Sequence, residues 1–280
     1  MSSIVDRYDQ SALDYARYWA PVLDATSRRL LDEVAAFAAG RQGRVKVLDV
    51  GGGTGSLALG AAERWPAATV IASDAAAGML ELARRRSGAA LASVRSRLSF
   101  LVAPAADLPL ADGSVDLVLS SFVLQLVPDR LAALREAHRV LRPGAVLAYV
   151  TWLDRESRRP FEPMYEFDEA VLDLGIDEPE EEQEVHAGDV ASARAAAAQL
   201  RRAGFRAVSA REDELVYDWT PDTYLEYKLA YDERALLSLL DDERQLTLEA
   251  NARSRLARLA PAEFRWHAPI VFARGQKPPP

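Results

Sequence analysis

Between residues 44 and 152 the chain alternates five short apolar runs with helical patterns, and this alternation limits the fold more than any other feature. The runs are RVKVLDV, TVIASD, RLSFLVAPAAD, VDLVLSSFVL and AVLAYVTW. They are rich in Val, Leu and Ile, as strands buried on both faces are. Between them lie SLALGAAERWP, AAGMLELARRR and DRLAALREAHRVLRPG. In the last of these Leu131, Leu134 and Leu141 share a helix face, and Pro143-Gly144 is expected to end the helix. Repeated strand–helix–strand units take right-handed crossovers, so the sheet is expected to be mostly parallel with helices on both faces. Ligands of such sheets bind beyond the carboxyl ends of the strands, which locates a site before any motif is read.

Outside this region the patterns are looser. Residues 11–39 read as helical, with Leu30, Leu31, Val34 and Phe37 at helical spacing and Gly40 as a stop. Residues 155–190 are rich in charge and proline, and DEPEEEQE at 177–184 reads as a solvated loop. ASARAAAAQLRRAGF reads as a helix stopped at Gly204, and RAVSAREDELVY as a strand. Residues 220–259 read as helical, FRWHAPIVFARG as a last strand and QKPPP as a tail. The expected organisation is an N-terminal helical segment over 1–40 and a main domain over 41–280, with insertions near 155–190 and 218–262.

Charge and composition exclude several classes. Lys and Arg number 34 against 42 Asp and Glu, a net charge of −8 with no basic stripe, which disfavours nucleic acid as a partner. There is no cysteine, so disulfides and thiolate metal sites are excluded. His138, His186 and His267 are far apart, so no metal is expected. MSSIVDRYDQ lacks the basic and apolar regions of a signal peptide, and no apolar run approaches a membrane span. The expected compartment is therefore the cytoplasm.

VLDVGGGTG places four glycines in the five positions 51–55, directly after a strand. Glycine loses more backbone freedom on folding than any other residue, so the cluster calls for a reason such as close approach to a ligand. Counting from Gly51, the sixth position is Ser56, where a nicotinamide-binding turn wants glycine or alanine. The Gly-Lys-Ser/Thr of a phosphate loop is also absent. Asp74 ends the second strand, 19 positions after Gly55. There a carboxylate can accept hydrogen bonds from both hydroxyls of a ribose, or it can simply cap the following helix.

VLDVGGGTG, VIASDAAAGMLELAR, APAADLPLADGSVDLVLSSFVLQLVPD and AHRVLRPGAVLAYV follow in order. Together they resemble the class I S-adenosylmethionine-dependent methyltransferases, in particular the ubiquinone/menaquinone-biosynthesis-like group that acts on small molecules. The resemblance is strong over 45–152 and weak over 190–217 and 263–275. It implies an α/β, Rossmann-like, doubly wound sheet of seven mostly parallel strands, the last antiparallel and inserted near one edge. An N-terminal helical lid and a helical insertion would complete it. It also implies a small-molecule acceptor methylated on oxygen, carbon or nitrogen by direct in-line displacement. S-adenosylmethionine would be the cofactor and S-adenosylhomocysteine the product.

The resemblance assigns roles residue by residue. Asp49 would order the glycine loop and approach the methionine amine. Gly51, Gly53 and Gly55 would let the backbone close on the cofactor, and Gly52 stands where many relatives carry a larger residue. Asp74, with Ala75 beside it, would hold the ribose. Met79 would pack on the adenine, and Ala106, Asp107 and Leu108 would flank it, with Asp107 accepting from its amine. Ser120, Ser121 and Phe122 would pass beside the methionine and the reactive methyl.

Two aromatic clusters are candidates for the acceptor side. Tyr8, Tyr15, Tyr18 and Trp19 crowd DRYDQSALDYARYW; Tyr8 and Tyr15 are assigned to the cofactor as parts of a lid, and Trp19 to the acceptor. Tyr224, Tyr227 and Tyr231 form one helical stripe, and Tyr224 and Tyr227 are assigned to an acceptor wall with Gln125 and Trp152. Plain core packing explains either cluster as well. His138 shares an apolar helix face and reads as structural, which leaves His186 and His267 as weak base candidates.

Two other classes stay open: a non-catalytic module that binds S-adenosylmethionine or its product, and a nicotinamide-dependent oxidoreductase. Ser56 and the lack of a Tyr-x-x-x-Lys pair directly after the fourth strand count against the oxidoreductase. Nucleic-acid methylation would want Asn/Asp-Pro-Pro-Tyr/Phe after that strand, where SSFVLQ stands. A monomer or homodimer is expected.

Overall fold

In the computed structural model, which describes residues 4–154, 160–175 and 186–279, seven strands form a single sheet. They are β1 (Lys46–Val50), β2 (Thr69–Asp74), β3 (Leu98–Val102), β4 (Val115–Ser121), β5 (Leu141–Trp152), β6 (Arg206–Asp218) and β7 (Arg265–Gln276). Their order is β3-β2-β1-β4-β5-β7-β6. The first five pair in parallel, and β7 runs antiparallel to both β5 and β6. The last strand is therefore the antiparallel one, inserted next to the edge. The central strands β1 and β4 bury Val47, Leu48, Leu117, Val118 and Leu119 completely. The edge strand β6 carries Arg206, Arg211, Glu212 and Asp213 instead, and such charges discourage pairing with another chain.

The helices follow in chain order. α1 (Ile4–Gln10) and the short α2 (Ala12–Asp14) lead through a π-helical turn, Tyr15–Trp19, into α3 (Ala20–Glu33) and α4 (Ala35–Gly40). α5 (Ser56–Arg64), α6 (Ala77–Gly88), α7 (Ala92–Arg95) and α8 (Arg130–Val140) connect the parallel strands. α9 (Glu162–Leu172) and α10 (Ala193–Arg202) precede β6. Between β6 and β7 come α11 (Pro221–Tyr227), a second π-helical turn at Lys228–Asp232, α12 (Arg234–Leu237) and α13 (Asp242–Leu256). One apolar cluster buries Leu30, Leu31, Leu57 and Leu80 with Phe167, Leu248 and Leu256. A second lies under α8 and α10, with Leu134, Val140, Leu200 and Phe205.

Four boundaries differ from the sequence expectations. The helix over 11–39 is interrupted at Tyr15–Trp19 and again at Val34, whose φ of −114° and ψ of 3° leave helical geometry. β3 stops at Val102, and 103–107 turn away toward the site. β4 stops at Ser121, because Phe122 adopts a left-handed φ of 55°. α8 ends at Val140, and Leu141 to Gly144 already belong to β5. Pro143 forces its predecessor out of helical geometry, so the helix stops before it rather than at it. The run 177–184 and the start of the insertion expected at 155 lie outside the described residues.

Candidate functional site

The glycine turn arches over the carboxyl ends of β1 and β2. Gly51, Gly53 and Gly55 all have positive φ, at 67°, 51° and 84°. A Cβ on Gly51 would fall 2.2 Å from Val123 Cγ2, so no other residue fits there. A Cβ on Gly53 would meet nothing within 4 Å, because this glycine faces open space. Gly55 lets α5 begin against α6, where an added Cβ would lie 3.0 Å from Ala83 Cβ. The Gly52 N–H donates to Ser73 O at 2.8 Å, which ties the turn to β2.

A cavity of about 370 Å³ opens in front of the turn. Gly51, Gly53, Asp74, Ala75, Met79, Ala106, Ser121 and Phe122 line it, together with Ile4, Val5 and Tyr8 of α1 and with Tyr15. Asp74 sits between the turn and α6. Its Oδ2 accepts from the Gly53 N–H at 2.8 Å and its Oδ1 from the Ala76 N–H at 2.9 Å. Each oxygen keeps acceptor capacity for a ligand hydroxyl. Burial pushes this carboxyl up, while the backbone amides of Ala76, Gly53 and Ala75 pull it down. Met79 is buried with Ala12 and Ala76 and packs near Val5, Tyr8 and Tyr15.

Behind the turn lies a narrow crevice of about 40 Å³, lined by Asp49, Gly51, Gly52, Gly53, Ser121 and the α3 side chains Leu23, Asp24 and Ser27. Asp49 is 1 % exposed and its Oδ2 has no hydrogen-bond partner. Burial first, and then the Asp74 charge, push its carboxyl up to about 7. An unpartnered buried carboxylate oxygen at the end of β1 fits an ammonium group, which would both satisfy the oxygen and restore its charge. The cradle thus offers a buried acceptor for a cation at Asp49 and acceptors for hydroxyls at Asp74, which suits S-adenosylmethionine.

A second cavity, of about 530 Å³, adjoins the first across Tyr8, Tyr15, Phe122 and Leu126, which line both. Its other walls are Trp19, Leu23, Gln125, Trp152, Asp154, His186, Gly188 and Asp189. Phe122 and Trp152 are in close contact, with ring centroids 4.3 Å apart, and Trp19 lies 6.3 Å from Trp152. Gln125 is buried and anchors this corner. Its Nε2 donates to Phe122 O at 2.7 Å, and its Oε1 accepts from Thr151 Oγ1 at 2.8 Å. The left-handed Phe122 is held in place by these bonds and by its own N–H to Val150 O at 2.9 Å.

The N-terminal segment is tied down at both ends. Asp9 accepts a hydrogen bond from the Gly78 N–H in the first turn of α6. Asp14 pairs with Arg234 at 2.7 Å. Tyr15 meets Tyr231 edge-on at 6.2 Å, and Trp19 stacks on Tyr227 at 5.4 Å. The first π-helical turn therefore packs its aromatic rings against Tyr227, which ends α11, and Tyr231 of the second.

Several residues expected at the site lie elsewhere. Leu108 is buried in the second apolar cluster, and its N–H is taken by Glu136 Oε1 at 2.8 Å. Asp107 is exposed and does not line the cavity, whereas Asp129 does. Ser120 donates to Val50 O at 2.9 Å and serves the sheet. Gly55 serves helix packing. Tyr224 is buried against Phe161 and Trp219, and Tyr227 backs Trp19 without lining the cavity. His267 faces Glu214 at 3.2 Å beside a separate depression formed with Phe161 and Arg265, so it does not meet the acceptor cavity. His186 does line that cavity, but its Nδ1 accepts from the Gly188 N–H at 3.1 Å. With Nδ1 accepting that bond, Nε2 is the nitrogen that can donate. Asp24, Asp154 and Asp189 were not expected at the site and no motif marks them, and Leu126, inside SSFVLQLVPD, was not expected there either.

Residues 48–149 match the family model described as "Methyltransferase domain". The chain is 34 % identical over 149 residues to a malonyl-acyl-carrier-protein O-methyltransferase of Geobacter sulfurreducens, covering 52 % of each. It is 43 % identical over 102 residues to the demethylmenaquinone methyltransferase of Thermus thermophilus, covering 36 % of this chain and 44 % of that one. It spans about half the length of these curated relatives. Among solved structures, the 4+2 cyclase SpnF superimposes with a TM-score of 0.56 at 20 % identity, over 90 % of this chain and 82 % of that one. The YcgJ protein of Bacillus subtilis gives 0.52 at 19 % identity, over 85 % and 93 %. At these identities the superpositions speak for the fold alone.

Proposed function

From the match of residues 48–149 to a methyltransferase domain, we propose that the protein is a class I S-adenosylmethionine-dependent methyltransferase that methylates a small-molecule acceptor by direct in-line displacement. The observation that carries this reading is the pair of adjoining cavities. One fits the cofactor and the other is large enough for a small molecule, and they meet at Phe122, Tyr8, Tyr15 and Leu126. When bound, the cofactor supplies a methyl on a positively charged sulfur, an electrophile that needs no metal.

The chain's own residues bind, orient and shield. Asp49 and Asp74 hold opposite ends of the cofactor. Ile4, Val5 and Tyr8 roof it as a lid, and Phe122 sets the boundary at which an acceptor atom would arrive. Positioning of this kind is worth on the order of 7–11 kcal/mol. His186 Nδ1 is taken by the Gly188 N–H, and the carboxylates of Asp154 and Asp189 at the open mouth, with the water beside them, are what an acceptor proton would leave to.

The described lining of the acceptor cavity holds no lysine, and its histidine has Nδ1 taken by Gly188, which favours one second reading, a module that binds the cofactor without transferring its methyl. Calorimetric titration with S-adenosylmethionine, S-adenosylhomocysteine and NADH, followed by methyl-transfer assays over an acceptor panel, separates the two. Micromolar binding of both sulfur ligands with turnover on any acceptor supports the enzyme. Binding without turnover on any acceptor favours the module, and no binding of either sulfur ligand overturns both.

A further inference from the structure

We propose that the acceptor is a small molecule carrying an amine, bound as its cation in the aromatic cavity and methylated on nitrogen as its free base; this rests on the methyltransferase reading above. The cavity is lined by five aromatic rings, Tyr8, Tyr15, Trp19, Phe122 and Trp152, and by the carboxylates of Asp154 and Asp189. Aromatic faces attract cations, most strongly where the site is partly desolvated. Carboxylates at the same wall add the complementary charge.

No described lining residue opposes this. Among the described residues, no lysine or arginine lines the cavity. His186 turns its Nδ1 to the Gly188 N–H at 3.1 Å. Arg130 lies behind the wall, where its guanidinium is spent on Leu124 O at 2.9 Å and on Gly188 O, and its charge acts on Asp189. Asp154 is exposed at the mouth and supplies charge that Arg130 does not neutralise. An anionic acceptor would have to desolvate against two carboxylates and the faces of five rings, which is unfavourable at each.

The step balances simply. The bound ammonium first releases one proton to water at the open mouth beside Asp154. The nitrogen lone pair then forms the new N–C bond, and the electron pair of the C–S bond stays with sulfur, leaving a neutral thioether. The positive charge passes from sulfur to nitrogen, within reach of the same rings and carboxylates. No oxidant or further reactant is needed.

Three probes of one shape and different charge test this: choline, 3,3-dimethylbutan-1-ol and 3,3-dimethylbutanoate. None of them has a nitrogen lone pair to methylate. The full chain is first titrated calorimetrically with S-adenosylhomocysteine, and the loaded protein is then titrated with each probe while tryptophan fluorescence is read. Choline is expected to bind at least about tenfold more tightly than the alcohol, and the carboxylate more weakly than both. Asp154→Asn is expected to weaken choline about three- to tenfold and to leave the alcohol unchanged. Its affinity for S-adenosylhomocysteine, measured in the same titration, should equal that of the wild type and shows that the variant is folded. Equal affinity for choline and the alcohol, or preference for the carboxylate, overturns the amine assignment alone. Failure of S-adenosylhomocysteine to bind overturns the methyltransferase reading instead.

Discussion

Replacing Asp49 by Asn should make the empty protein more stable at alkaline pH while making it a worse binder. The side chain keeps its size and loses its charge. Its carboxyl is pushed up from 3.8 to about 7, mainly by burial. At about 1.4 kcal/mol for each tenfold change in proton affinity, the ionised form carries a penalty of roughly 4 kcal/mol in the empty fold. The sign follows from linkage. The folded carboxyl holds its proton more tightly than the unfolded one, so wild-type stability falls as pH rises from the unfolded value toward about 7 and is level beyond it. Asn at this position has no such dependence, although its amide leaves buried polar atoms of its own that cost about 1–3 kcal/mol at every pH.

The robust observable is therefore the gap in Tm between variant and wild type, followed from pH 5 to pH 8. It should widen in the variant's favour by at least about 2 °C, the equivalent of ~1 kcal/mol in a protein of this size. Differential scanning fluorimetry without ligand reads it directly. In the same protein, loss of a buried charge that faces the cofactor ammonium should weaken S-adenosylmethionine about 30-fold or more, from ~2 kcal/mol at the low end for such pairs. A Tm gap independent of pH would refute the burial argument. An unchanged Kd for S-adenosylmethionine would refute the placement of the amino-acid end at Asp49.

Three more outcomes test the rest of the site. Asp74→Ala should weaken the cofactor at least about tenfold by calorimetry, because it strands two ribose hydroxyls and frees the Gly53 and Ala76 amides. Tyr15→Ala should lower turnover more than Tm, since Tyr15 lines both cavities; normal turnover with a large loss of Tm would make it a packing residue only. Gln125→Leu should lower stability by about 1–3 kcal/mol in urea melts, because Phe122 O and Thr151 Oγ1 lose their partner; an unchanged midpoint would mean that Phe122 holds its left-handed backbone without help.

Much of this architecture was legible because its cause is periodic. The apolar runs of β1, β2 and β4 and the leucines of α8 repeat at strand and helix spacing, and the topology follows from the crossover rule. Glycines with positive φ show in the sequence as a cluster, and Asp49 and Asp74 stand at strand ends that the pattern locates. Phe122 was named as a site residue, but its backbone reversal was not legible: SSFVL reads as a continuing strand, and the reversal is fixed by Val150 and by neighbouring Gln125, itself anchored on Thr151. Leu108 and Ser120 adjoin the site in sequence, but their polar groups are claimed by Glu136 and Val50. Asp24, Asp154 and Asp189 come from segments with no motif and reach the cavities only through the tertiary fold. His267 lies on an antiparallel strand, so it emerges on β7 beside Glu214 instead of facing the acceptor cavity.

The sharing of Tyr8 and Tyr15 between the two cavities has a kinetic meaning. Both rings belong to one short stretch of chain, fastened through Asp9 to α6 and through Asp14 to Arg234. Any displacement of that stretch would uncover both chambers at once, so access to the donor and access to the acceptor are coupled through the same few residues.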